Sequence, residues 1–187
     1  MARSPINTNE LKLLKQSVGM TEDDEHYLRV AGQVLSDRTE ELVGKWRAVI
    51  AAHLHLARYS KRLDGQADPH YSESSGLRFQ QWVLDTCLRP YDQEWLNYQQ
   101  EIALRHTSLK KNKTDGVESI DSIPLRYILT FASIINNAGI IKPFLAARGH
   151  SIEEVDRMHR AWCKSVQLQI ALWVEPYTDT KLAPNEW

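Results

Sequence analysis

The sequence predicts an all-α fold, on three observations. Apolar residues recur at steps of three and four along almost every segment, and nowhere alternate over a run long enough for a strand. Helix-start signals punctuate the segments: Thr21 with Asp24, Asp92 ahead of Trp95, and Ser151 with Glu154. No repeat, low-complexity tract or Pro/Gly-rich linker divides the chain. At 187 residues, 42% hydrophobic and 25% charged, there is enough chain for one domain with a substantial core.

Taken in order, Thr8 to Gln16 predicts a short first helix with Leu11, Leu13, Leu14 and Val18 apolar. Thr21 caps a second, buried along Tyr27, Leu28, Ala31, Val34 and Leu35. Ser36 is expected to cap a third, whose face is Leu42, Val43, Trp46, Val49 and Ile50, with Arg47 at its edge. Residues 57–70, with Asp64-Gly65 and Asp68-Pro69, read as a loop. The next helix, roughly Tyr71 to Leu88, buries Phe79, Trp82, Val83 and Thr86/Cys87. Pro90 ends it, and Asp92 caps a helix striped by Trp95, Tyr98, Ile102, His106 and Leu109. A polar loop from Thr107 to Ile123 leads to a long helix starting at Pro124 and buried along Ile128, Phe131, Ile134/Ile135, Ala138 and Ile141. Pro143 is expected to kink it or open a new turn. After Gly149 the last helix buries Val155, Met158, Trp162, Ser165/Val166, Gln169 and Leu172/Trp173, and a tail follows Pro176. Unequal helices with two long loops do not suit an up-and-down bundle. They fit a globin-like packing, in which helices cross steeply around a pocket.

Composition excludes several function classes. A net charge of -1 gives no overall pull toward nucleic acid or anionic membrane. No apolar run reaches the ~20 residues that span a bilayer, and the N-terminus lacks a signal-peptide core. Cys87 and Cys163 are too few and too far apart for a disulfide framework or a Cys-rich zinc site, so a cytosolic protein with reduced thiols is expected. His53 and His55, two apart, point to different sides of a helix and make a weak metal pair. The spacing of five from Glu101 to His106 misses the di-iron pattern, and acyl-transfer, phosphate-loop and dinucleotide signatures are absent. The basic run Lys110-Lys111-Asn112-Lys113, with Arg105, reads as a solvated loop complementing a helix C-terminus in preference to an anion site.

His106 is the residue that needs explaining, because a titratable imidazole takes a place on a core stripe where leucine is expected. Two readings stand: a hydrogen-bonded core histidine, which is the commoner outcome, or an imidazole facing a metal or haem iron. With no Cys-x-x-Cys-His, any haem is held without thioether links. Trp46, Trp82, Trp95, Trp162 and Trp173 all lie on core stripes. Trp46, Phe79 and Phe131 come from three different helices, and together offer the aromatic wall that a haem requires.

Six segments carry a resemblance: Leu11-Lys12-Leu13-Leu14-Lys15, Trp82-Val83-Leu84-Asp85-Thr86-Cys87, Tyr91 to Gln99, Glu101 to His106, Lys142-Pro143-Phe144-Leu145-Ala146 and Ala171-Leu172-Trp173. In that order and with near-family spacing, from about residue 10 to 177, they resemble the protoglobins, single-domain haem proteins related to the globin domains of globin-coupled sensors. The resemblance implies an all-α, globin-like fold with an additional N-terminal helix. It implies one globin domain over 1–187, with an N-terminal arm at 1–9 and a C-terminal tail at 175–187. It also implies haem b (iron protoporphyrin IX), reversible binding of O2, CO or NO, and a homodimer paired through the last two long helices.

Carried over by position, His106 matches the iron-binding proximal histidine and Trp46 the distal tryptophan. Phe79 and Phe131 match phenylalanines lining the distal side, and Arg78 a basic residue near the propionates. Val83, Tyr98, Ile102 and Ile128 complete the expected pocket. Where the family usually has a distal tyrosine this chain has Arg47, an always-charged donor that either stabilises a polarised ligand or swings out to a propionate or solvent. Ser75, one turn before Phe79, offers a replacement hydroxyl. The expected function is a cytosolic gas-binding haem protein. The alternatives are a haem enzyme acting on nitric oxide, nitrite or peroxide, and a gas sensor signalling to a separate partner.

Overall fold

A computed structural model describes residues 2–111, 113–116 and 122–178, so the middle of the expected 107–123 loop and the end of the expected tail lie outside the described residues. The helices are α1 (Thr8–Ser17), α2 (Glu22–Leu35), α3 (Thr39–Ala52), α4 (Leu54–Ala57), α5 (Pro69–Leu88), α6 (Gln93–Arg105), α7 (Leu125–Ile135), α8 (Ala138–Leu145) and α9 (Ile152–Trp173). Among the described residues there is no strand, only an isolated bridge between Lys61 and Ala67. The fold is all-α.

Most helix starts follow from the residues that cap them. Thr21 with Asp24, and Ser151 with Glu154, form reciprocal capping boxes. Asp68 accepts from the Tyr71 amide with Pro69 in the first turn of α5, and Asp92 accepts from the Trp95 amide at 2.8 Å. Ser36 does not cap α3. It closes α2 in a helical conformation, and its hydroxyl donates back to the Gln33 carbonyl, because the chain turns too tightly into α3 for it to reach forward. The helix after Pro124 breaks at Asn136–Asn137 rather than at Pro143. The Asn137 side chain accepts from the Gly139 amide and starts α8 at a 44° bend, while Pro143 lies inside α8.

Helix α9 is the spine. Helices α2, α5, α6, α7 and α8 all pack on it, while α3 crosses α5 and reaches α7 and α8. Its polar core residues are satisfied: Trp82 Nε1 donates to Gln169 Oε1 at 2.7 Å, and Gln169 Nε2 donates to Thr86 Oγ1 at 3.1 Å. Helix α2 meets α5 closely at Gly32, where a Cβ would stand 2.6 Å from Leu88 Cδ2 and 2.9 Å from Cys87 Cβ. The N-terminal arm lies along α6, its Ser4 amide donating to Asn97 Oδ1 at 2.9 Å. At the other end, the expected tail is not loose at its start. Residues Glu175–Thr178 form a 3-10 turn that buries Pro176 and Tyr177. No single helix among the described residues is long and apolar enough to cross a membrane.

Candidate functional site

His106 is the residue on which α6 ends, in αR conformation just after Arg105. Its carbonyl accepts from the Ile123 amide at 2.8 Å and from the Tyr177 hydroxyl at 3.3 Å, so the main chain at this point is tied to the start of α7 and to the turn after α9. The ring is half-buried, with Nδ1 buried and lacking a well-aligned hydrogen bond. Burial, then the positive charge of Lys111, then that of Arg105 push its pKa down to about 4 against the Ile102 carbonyl one turn back. The imidazole is therefore neutral at physiological pH, with a lone pair available to a metal. Its ring neighbour is Trp173, 5.3 Å away between centroids and tilted by 44°.

Three helices frame the space around it. Helices α5, α6 and α7 each pack on α9, but among the described residues they do not pack extensively on one another. At this edge Phe79 from α5, Ile102 from α6 and Phe131 from α7 are only half-buried against the core. Phe79 is the hub, with ring centroids 5.5 Å from Trp46, 5.5 Å from Trp82 and 5.8 Å from Phe131. Trp46 is fully buried, sandwiched between Phe79 and Trp162, and its Nε1 has no hydrogen-bond partner. Val83 and Ile128 are buried beside this cluster, and Arg78 is half-buried on α5. Trp82, 6.0 Å from Trp173, links the Phe79 cluster to the ring beside His106.

Other expected residues are used differently. Arg47 reaches α5: its Nη1 donates to the Ser72 carbonyl at 2.9 Å and its Nη2 to the Ser72 hydroxyl at 2.6 Å. The Ser75 hydroxyl donates to the same carbonyl at 3.1 Å. Of the alternatives open to Arg47, the structure shows a third, a tie to α5. Tyr98 stands two turns before His106 against Asp85, with Arg89 over its ring at 4.4 Å, and burial followed by Asp85 holds its phenol protonated. Leu109 lies beyond the end of α6 and is 46% exposed, so the apolar stripe stops at His106.

The basic run is partly tied down, while Lys113 is exposed. Lys110 pairs with Glu101 at 2.6 Å and the buried Lys111 donates to the Tyr59 carbonyl at 2.8 Å. His53 and His55 are exposed, beside a groove of about 320 Å³ between α3–α4 and α7. Sequence reasoning missed Gln99, Ile123 and Tyr177. Gln99 lies on the same helix face as Trp95, Ile102 and His106 but is polar, so a search for apolar residues passes over it, and the other two act through main-chain contacts that no side-chain pattern announces.

A half-buried, neutral imidazole that no side chain hydrogen-bonds, at an edge walled by half-buried aromatics, has the donor and the apolar surface that a haem needs. The residues present fit that group. Comparison with known proteins bears on the same point. No curated protein matches the chain. Among solved structures, it is similar to the globin domain of the Geobacter sulfurreducens globin-coupled sensor, with a TM-score of 0.66 and 12% identity over 90% of this chain and 97% of that one. The protoglobin family profile matches residues 7–183, almost the whole length. The chain belongs to the protoglobin family.

Proposed function

We propose that residues 1–187 act as a single globin domain that holds haem b through His106 and reversibly binds a diatomic gas, O2, CO or NO. The observation that carries this is the setting of His106: an imidazole that burial and the charges of Lys111 and Arg105 keep neutral, its Nδ1 without a well-aligned partner, at the open edge beside Phe79 and Phe131. When bound, haem supplies an iron with one position left for a small ligand. Trp46, Phe79, Val83, Ile128 and Phe131 would supply apolar surface that keeps water away, with Ile102 flanking His106, and Arg78 on α5 would meet a propionate. Family membership implies haem binding in general terms.

The rival haem-enzyme reading is weakened by one feature. Arg47, the obvious electrostatic stabiliser, is committed to Ser72. The reading further assigns the protein to the cytosol and pairs two copies through their last two long helices. Titrating the apo-protein with haem, following gas binding and nitrite, nitric oxide and peroxide turnover, and weighing the product by sedimentation tests the haem, the activity and the pairing of two copies. One haem per chain, gas affinity without turnover and a dimer are expected; turnover that collapses with an Arg47 variant would favour the enzyme.

A further inference from the structure

The ring of His106 has an unusual means of support. Metal-bound imidazoles are normally oriented by a hydrogen bond from the second ring nitrogen to a carboxylate or carbonyl. Here the ring faces the Ile102 carbonyl one turn back, but Nδ1 makes no well-aligned bond to it. The backbone of His106 is fixed by Ile123 and Tyr177, but that leaves rotation about χ2, a broad torsion for histidine. What meets the ring is the Trp173 indole, 5.3 Å away. That indole is itself pinned, since Trp173 Nε1 donates to Gln99 Oε1 at 2.8 Å in a fully buried bond. Gln99 is 1% exposed and lies seven residues before His106 on α6, so two turns of the helix place both on one face. Helix α6 thus carries the imidazole and also the acceptor that locks the imidazole's neighbour on α9.

We propose that Trp173 and Gln99 are positioning residues that set the ring angle of His106, by packing against a ring that the Ile102 carbonyl alone holds only loosely. This deepens the haem reading of His106 and rests on it. The ring angle controls how the imidazole meets the iron, so a clamp built from an indole and a neutral amide keeps the ligand oriented without the charge that a carboxylate would add. Two covalently remote elements, α6 and α9, are then coupled through one side chain.

The test uses Gln99→Leu, Trp173→Phe and Trp173→Leu, with Trp95→Phe as a control, because Trp95 is another buried indole without a hydrogen-bond partner. In apo-protein, NMR reads the His106 ring protons, which the Trp173 ring current displaces. In reduced haem-loaded protein, resonance Raman reads the iron–histidine stretching band. Gln99→Leu and Trp173→Phe, which each break the pin, are expected to move the ring-proton signals and to shift and broaden the Raman band alike. Trp173→Leu abolishes the ring-current displacement, and Trp95→Phe changes neither. Unchanged ring signals in folded Gln99→Leu and Trp173→Phe overturn the proposal, and these two decide it if Trp173→Leu fails to fold. A wild-type protein that takes up no haem overturns the function reading instead, and the apo-protein spectra still decide the clamp.

Discussion

The Arg47 guanidinium is bonded twice to Ser72, on a helix 25 residues further along the chain, and its Nη1 lies 2.6 Å from where a Cβ on residue 76 would stand. Gly76 leaves the notch that Arg47 fills, so the guanidinium serves as an interhelical tie. Arg47→Ala is expected to destabilise the fold by about 1–2 kcal/mol, the scale of a charge-assisted hydrogen bond at a half-buried site. Gly76→Ala gains about 1 kcal/mol of helix propensity but displaces the guanidinium. It should therefore be near neutral alone and stabilising in the Arg47→Ala background, a coupling that urea unfolding of the four proteins measures.

Gly32 contrasts with Gly76. Its neighbours include Cys87 Cβ at 2.9 Å, next to the backbone of α5 and unable to swing aside. Gly32→Ala is expected to cost about 1–3 kcal/mol by forcing α2 off α5, despite the better helix former. Thermal unfolding checks the sign.

Tyr177 binds the Ile123 carbonyl at 2.6 Å as well as the His106 carbonyl. Tyr177→Phe takes the hydroxyl from the Ile123 carbonyl and leaves the His106 carbonyl with the Ile123 amide alone, and should cost about 1–3 kcal/mol. Haem dissociation should also quicken, because the end of α6 loosens. Equilibrium unfolding and haem transfer to a scavenger globin measure the two effects.

How much of this was legible in the sequence depended on whether a residue's role is local. The capping boxes at Thr21 and Ser151, the cap at Asp92 and the stripe of α9 are local rules, and the structure obeys them. The break at Asn136–Asn137 was hidden by an apolar stripe that runs on through both helices, and a proline further along drew attention away from the asparagine cap. At the site, Trp46 packs on Phe79 and Phe131 is half-buried, contacts between helices that no single stripe shows. The destination of Arg47 did not follow from sequence, since it depends on a glycine 29 positions away, and Gln99 gained its role only when α9 brought Trp173 alongside.

Acid sensitivity is expected from Asp24. Burial would raise its pKa, but hydrogen bonds from Lys164 and from the Thr21 amide and hydroxyl outweigh this and hold it below the ordinary 3.8. A carboxylate depressed in the folded state stabilises the fold above its unfolded pKa, and that stability is lost as pH falls through the folded value. Asp24→Asn should lower stability at pH 7 and flatten its decline below about pH 4, measured by urea unfolding across that range.

The central claim is that His106 holds haem iron. The measurement that tests it most directly is the absorption spectrum of haem-reconstituted protein, reduced, with and without carbon monoxide, beside His106→Ala. An intense Soret band that moves with carbon monoxide in the wild type, and is lost or altered in the variant, is the expected result. A wild-type protein that stays colourless with added haem, or a variant with an identical carbon-monoxide-sensitive spectrum, would contradict it and return His106 to the role of a core histidine.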